Sequence, residues 1–166
     1  MAREVSIESL DRFFRTSAVP MTLASALDPA CPLLLANDAF LELTGYRREE
    51  VLGRNCRFLQ GPKTDPKARL RLRQAIDTGA ETLVPITNYK KNGTVFENYV
   101  FLMPILGAGG DLLYFMGSQY DITAPERSVS LAEQATLVEE GLLVSAVRPP
   151  NSLNSLARFR SEGRGG

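Results

Sequence analysis

Residues 53–61, with the sequence GRNCRFLQG, concentrate side chains that can act together on one ligand. The thiol of Cys56 stands between Asn55 and Arg57, and the amide of Gln60 follows a little further along. Arginine holds anions through its forked donors, and side-chain amides both donate and accept hydrogen bonds along the polar edge of a planar ring. We therefore expect this segment to bind a ligand that has a ring and an anionic group, and to present the thiol to the ring.

The composition limits the classes of protein that can be considered. The chain has 166 residues, 44% of them apolar, which suits one domain with short extensions. Its 19 basic and 19 acidic residues cancel, so there is no electrostatic footprint for nucleic acid or an anionic membrane. No apolar run approaches the roughly 20 residues of a membrane helix, and the N-terminus lacks a signal core. We expect a cytoplasmic protein.

The content of histidine and cysteine excludes several kinds of chemistry. The chain has no histidine, which removes the commonest general base, the histidine triads and most zinc sites. Its two cysteines, Cys31 and Cys56, have no metal-ligand spacing, and Cys31 is expected to be a bystander near a turn. No glycine-rich nicotinamide motif is present. These features predict that the protein is not an enzyme.

The hydrophobic pattern predicts an α+β domain. Three final strands joined by tight turns form an antiparallel meander, which two early strands can join to give a five-stranded sheet. Ser130 and Glu133 form a capping box at the start of a last helix over 128–147. The other predicted helices are 6–16, 37–45 and 65–79, with a single turn near 47–53, and the predicted strands are 20–25, 32–36, 82–89, 95–105 and 112–122.

Three segments in this order, GRNCRFLQGPKTD, NYKKNGTVFENYV and YFMGSQYDIT, resemble a light-oxygen-voltage (LOV) domain, the blue-light-sensing branch of the PAS fold. The resemblance covers roughly residues 20–123 and implies a five-stranded antiparallel sheet with short helices on one face. The arrangement of the whole chain is similar to that of bacterial short LOV proteins. It implies an N-terminal helical cap over 1–19, the LOV core over 20–123, a C-terminal helix over 124–148 and a flexible tail over 149–166.

The resemblance implies a non-covalently bound FMN between the sheet and the short helices. Cys56 occupies the position of the photoactive thiol, which in this family adds to ring carbon C4a after blue light drives the flavin to a triplet state. The adduct then breaks down thermally in the dark. The implied hydrogen-bonding residues are Asn55, Gln60, Asn88, Asn98 and Gln119, the implied phosphate ligands are Arg57 and Arg73, and the apolar part of the ring is expected to meet Leu59, Leu102 and Phe115.

Gln119 is the predicted relay of the light signal. Adduct formation protonates the flavin N5 and turns an acceptor into a donor, so the Gln119 amide must rotate or change partner. Its strand precedes the predicted C-terminal helix, which gives a short route to a movable element. We expect signalling through the terminal helices, by homodimerisation that light can change or by an unknown downstream protein.

Two alternatives to the photoreceptor stay open. One is a redox sensor with the same FMN pocket, in which flavin reduction is the input and Cys56 is incidental. The other is a PAS dimerisation module without a cofactor. The colour of the purified protein and its bleaching by blue light distinguish the three.

Two residues depart from the family pattern near the ring. Arg69 replaces a small apolar residue, and it either bends outward or adds a third cation near the phosphate. Val100 replaces a phenylalanine and opens space beside the flavin. We expect this looser packing to let solvent reach the flavin and to speed recovery in the dark.

The change Val100→Phe tests that expectation. Filling the space should exclude solvent and slow the thermal return of the flavin absorption band after a blue flash. Absorption recovery in the dark measures the lifetime, and an unchanged lifetime would reject the packing hypothesis.

Overall fold

One antiparallel sheet of five strands, in the order β2-β1-β5-β4-β3, is the framework of the structure. The computed structural model describes residues 6–123, and the predicted C-terminal helix and tail lie outside them. Each strand agrees with its predicted range to within one residue at either end, and the predicted fold class is confirmed. The strands are β1 (Met21–Ser25), β2 (Leu33–Ala36), β3 (Thr82–Tyr89), β4 (Val95–Leu106) and β5 (Leu112–Asp121).

The helices begin and end at the capping residues that the sequence indicates. Asn37 and Asp65 accept a backbone N–H with their side chains, and Gly45 and Gly79 end their helices in the left-handed conformation, with φ of 77° and 64°. The helices are α1 (Ile7–Thr16), α2 (Asp38–Thr44), α3 (Arg48–Val51) and α4 (Pro66–Thr78), with a short 3₁₀ helix at Cys56–Leu59.

The two faces of the sheet have different coverings, because successive strand residues point to opposite sides. The outer face packs against Leu10 and Phe14 of α1 through an apolar cluster that includes Leu23, Met103 and Met116. The other face, here called the cavity face, is covered by the short helices between β2 and β3. Burying α1 in this way stabilises a helix of 10 residues that is too short to persist alone in water.

Asn37 ties the first strand to the first helix that covers the cavity face. It is 2% exposed, and its Oδ1 accepts hydrogen bonds from Met21 N at 2.9 Å and Phe40 N at 3.0 Å. Its Nδ2 donates to the carbonyls of Val19, at 2.6 Å, and Ser17, at 3.3 Å. One buried side chain thus caps α2 and fixes the chain that leads from α1 into β1.

Replacing Asn37 with alanine should therefore destabilise the fold strongly. The change leaves several buried backbone groups without partners, and we expect the free energy of unfolding to fall by about 3 kcal/mol. Urea unfolding of the full chain measures the loss. The control is Asn92→Ala, which removes one hydrogen bond to Thr94 N from an exposed turn and should cost less than about 1 kcal/mol. Equal losses in the two variants would contradict the role assigned to Asn37.

Candidate cofactor-binding site

A partly open cavity of about 120 Å³ lies between the cavity face of the sheet and the short helices. Its apolar walls and few polar groups are typical of cofactor sites. Every predicted site residue except Arg73 lines it. These are Asn55, Cys56, Arg57, Leu59, Gln60, Asn88, Asn98, Leu102, Phe115 and Gln119.

The segment that carries Cys56 is held in place by its neighbours. The Asn55 side chain caps the 3₁₀ helix by accepting from Arg57 N at 3.0 Å, and its Nδ2 donates to Ala30 O at 2.7 Å. The Phe58 ring packs edge-on against Tyr46 with centroids 5.0 Å apart. Asn55 therefore positions the cysteine, in addition to the ligand contact predicted for it.

The thiol of Cys56 is kept protonated by its surroundings. The residue is half-buried, and desolvation raises the pKa of its thiol to about 12. No basic group is among the causes of the shift, in contrast to the ion-paired cysteines of thiol enzymes. At neutral pH the side chain is a neutral thiol that brings its own proton to any bond it forms.

Three amides project from neighbouring strands into the cavity wall opposite the helices. Asn98 donates from Nδ2 to Asn88 Oδ1 at 2.9 Å and accepts from Tyr120 N at 3.0 Å. Gln119 is 2% exposed, and its Oε1 has no hydrogen-bond partner among residues 6–123. Since a buried polar atom without a partner is costly, this wall fits a ligand with a polar edge.

The cavity opens into a groove of about 430 Å³ between the β1–β2 connection and α4. Arg57 lines both spaces, whereas Arg73 and Arg69 line only the groove. Arg73 Nε lies 3.2 Å from Asp77 Oδ1. The guanidinium groups of Arg57 and Arg69 have no carboxylate partner within residues 6–123. Arg69 is exposed and borders the groove, so a ligand that reaches from the cavity into the groove meets these three cations at its outer end.

Cys31, expected to be a bystander near a turn, follows a turn and also lies at the cavity. This residue lines both the cavity and the groove, and its φ of 48° is unusual for a residue other than glycine. The pKa of its thiol is raised, mainly by desolvation. Its place just before β2 was visible in the sequence, but the closeness of that connection to the Cys56 segment was not.

Other cavity residues were missed because they come from distant elements. Thr22 and Gly117 lie opposite each other on β1 and β5, and both face the cavity. Leu72 and Ile76 of α4 also line the cavity while remaining partly exposed. Aligning β1 against β5 would have identified the first pair, since both strands were predicted.

Two further kinds of feature are absent from residues 6–123. None of the helices in this part of the chain is both long and apolar enough to span a membrane. The same residues contain no cluster of three or more histidine, cysteine or acidic side chains that could hold a metal ion.

Comparison with known proteins identifies the family. A family model described as a PAS domain matches residues 19–124. A blue-light-activated histidine kinase of Rhizobium johnstonii is 48% identical over 128 residues, which are 76% of this chain and 37% of the kinase. The structure of a LOV protein from Rhodobacter sphaeroides is 32% identical, with 96% of this chain and 97% of that one covered and a TM-score of 0.79. A LOV domain studied with a flavin analogue is 35% identical, with 77% and 95% covered and a TM-score of 0.66.

The chain belongs to the PAS domain family and, within it, to the light-oxygen-voltage branch, as the resemblance implied. The prediction that the protein is not an enzyme is wrong on this comparison, because relatives at 48% and 44% identity are histidine kinases. The chain spans only about a third of the length of these relatives, 37% and 34%. The absence of histidine and of a nicotinamide motif therefore did not predict the activity of such relatives.

The protonated state of Cys56 can be tested by alkylation. In a Cys31→Ser variant kept dark at pH 8, iodoacetamide should modify Cys56 at least about tenfold more slowly than a free cysteine, because the thiolate is the reacting form. Mass spectrometry over time gives the rate. The same variant unfolded in urea is the control and should react at the ordinary rate. Equal rates for folded and unfolded protein would show that burial does not hold the proton.

Proposed function

We propose that residues 20–123 form a blue-light sensor that binds FMN non-covalently in the cavity and groove. The single observation that carries the proposal is that the half-buried, protonated Cys56 thiol and the Gln119 Oε1, which has no hydrogen-bond partner among residues 6–123, lie in the wall of one cavity. A thiol alone would be an inert buried cysteine, and an amide alone would be a packing defect. Together they fit a polar-edged ring that can react with sulfur.

The remaining lining residues divide the proposed ligand into three parts. Asn88, Asn98 and Gln119 would bond to the polar edge of the ring. Arg57 and Arg73, which border the groove, would hold the phosphate, since arginine forks match its oxygens. The rest of the ring would meet apolar walls formed by Leu59, Leu102 and Phe115.

Bound FMN would supply absorption of blue light and a ring carbon that accepts sulfur. The part played by Cys56 follows from its protonation. The Cys56 thiol would supply both the sulfur and the proton that such a ring takes up, so no external base would be needed. On return to the dark state, Cys56 would hold its proton again.

Gln119 would pass the change to the rest of the molecule. Its side chain faces the cavity, while its backbone N donates to Pro20 O at 2.9 Å, where the chain from α1 enters β1. A rotated amide at this point would act on β5, which runs toward residues 124–148, and on the connection to α1. We propose that α1 and the segment after β5 change self-association or the contact with an effector, and that the effector is a kinase in proteins built like the histidine kinase relatives.

Absorption spectroscopy of the purified chain tests the function. A flavin band that bleaches under blue light and returns in the dark is expected, with FMN identified by mass after unfolding. Cys56→Ala should keep the band and lose the bleaching, because no other residue supplies the thiol at that place. The matched control is Cys31→Ser, which removes the second thiol of the cavity wall and should still bleach.

The other outcomes contradict the proposal in different ways. Bleaching and recovery that survive in Cys56→Ala would exclude the thiol. A flavin band that does not bleach in the unaltered chain would favour the redox sensor. A colourless protein that takes up no added FMN would leave the dimerisation module.

A further inference from the structure

Thr22 places a hydroxyl group in the cavity wall. It is 4% exposed and lies on β1, directly opposite Gly117 of β5. Its Oγ1 donates to the Gly117 carbonyl oxygen at 3.5 Å, well beyond the usual 2.5–3.0 Å of an O–H···O bond. The hydroxyl therefore keeps most of its capacity to donate and to accept.

The amide of Gln119 lies on the same face of the sheet as the Thr22 hydroxyl. Gln119 follows Gly117 by two residues, so both point to the cavity and Gln119 is the diagonal neighbour of Thr22 across the strand pair. A methyl group placed on Gly117 would lie 2.9 Å from Thr22 Oγ1 and 3.2 Å from Gln119 Nε2. The hydroxyl and the amide thus border the same small space, which glycine leaves open.

The chemistry of the two groups is complementary in either orientation of the amide. A hydroxyl can accept from Nε2, and after rotation of the amide it can donate to Oε1. In the present orientation Oε1 has no partner within residues 6–123. A side chain of the same shape without the hydroxyl would remove this partner from both orientations of the amide.

We propose that Thr22 is a positioning residue for Gln119, and that its hydroxyl sets the rate at which the domain returns to the dark state. The inference rests on the proposed photoreceptor function. Thr22 acts through the amide: its hydroxyl turns with the side chain of Gln119 and lowers the barrier to rotation. Gly117 is part of the same arrangement, because any larger residue there would fill the space that the amide needs.

Substitutions of Thr22 separate the hydroxyl from the shape of the side chain. Thr22→Val keeps the β-branched shape and removes the hydroxyl, and Thr22→Ser keeps the hydroxyl and removes the methyl. After a blue flash, absorption recovery should be roughly tenfold slower in Thr22→Val, the effect of about one lost hydrogen bond. Recovery in Thr22→Ser should stay within about twofold of the unaltered chain.

A second readout follows the amide itself. In light-minus-dark infrared spectra of protein with isotope-labelled glutamine, the shifted carbonyl band should change position in Thr22→Val and stay in place in Thr22→Ser. Thr22→Ala also lacks the hydroxyl and serves if the valine variant does not take up flavin. The control is Thr44→Val, whose hydroxyl bonds to Phe40 O at 2.8 Å outside the cavity and should not affect recovery.

The results distinguish the inference from the proposed function. Slower recovery in the variants without a hydroxyl, with the serine variant near normal, supports the role of Thr22. Recovery unchanged in both Thr22→Val and Thr22→Ala, or altered equally in Thr22→Ser, overturns it while the photoreceptor function stands. An unaltered chain that holds flavin and does not bleach overturns both.

Discussion

The alternation of side chains along the strands is the constraint on which the rest of the structure depends. In β1 and β5 it sends Leu23 and Met116 toward α1 and turns Thr22, Gly117 and Gln119 toward the cavity. A slip of one residue would exchange the two sets, burying amides against α1 and lining the cavity with large apolar groups. The apolar packing of the outer face thus holds the polar groups of the cavity in register.

The cavity wall contains buried polar groups whose hydrogen-bonding capacity is not fully used. The Asn98 side chain donates to Asn88 Oδ1 and accepts from Tyr120 N. The Gln119 Oε1, in contrast, accepts no hydrogen bond from residues 6–123. Such an atom lowers the stability of the protein without a ligand. A bound molecule that supplies the missing donor recovers that free energy, so binding and folding are coupled at this wall.

The protonated state of Cys56 makes its thiol unreactive in the dark and also suits it to a light-driven reaction. Thiol enzymes lower the pKa of their cysteine with a nearby cation, which makes the sulfur reactive at all times. Here desolvation raises the pKa to about 12, and the Asn55 cap holds the segment beside the cavity. A neutral thiol at a fixed place reacts only when its partner is activated, which is the behaviour that a sensor requires.

The amino-acid sequence by itself determined the elements and the chemistry of the central segment. Caps such as Asn37 and Gly79, the two-residue period of the strands and the GRNCRFLQG run depend on neighbours in the chain, so they could be read locally, and the family followed from them. The tertiary structure decided that Cys31 enters the cavity wall, that Arg73 stays in the groove beside Asp77, and that Thr22 faces Gly117. Thr22 and Gly117 are 95 residues apart, and their meeting depends on the pairing of β1 with β5, a long-range contact that no local pattern contains.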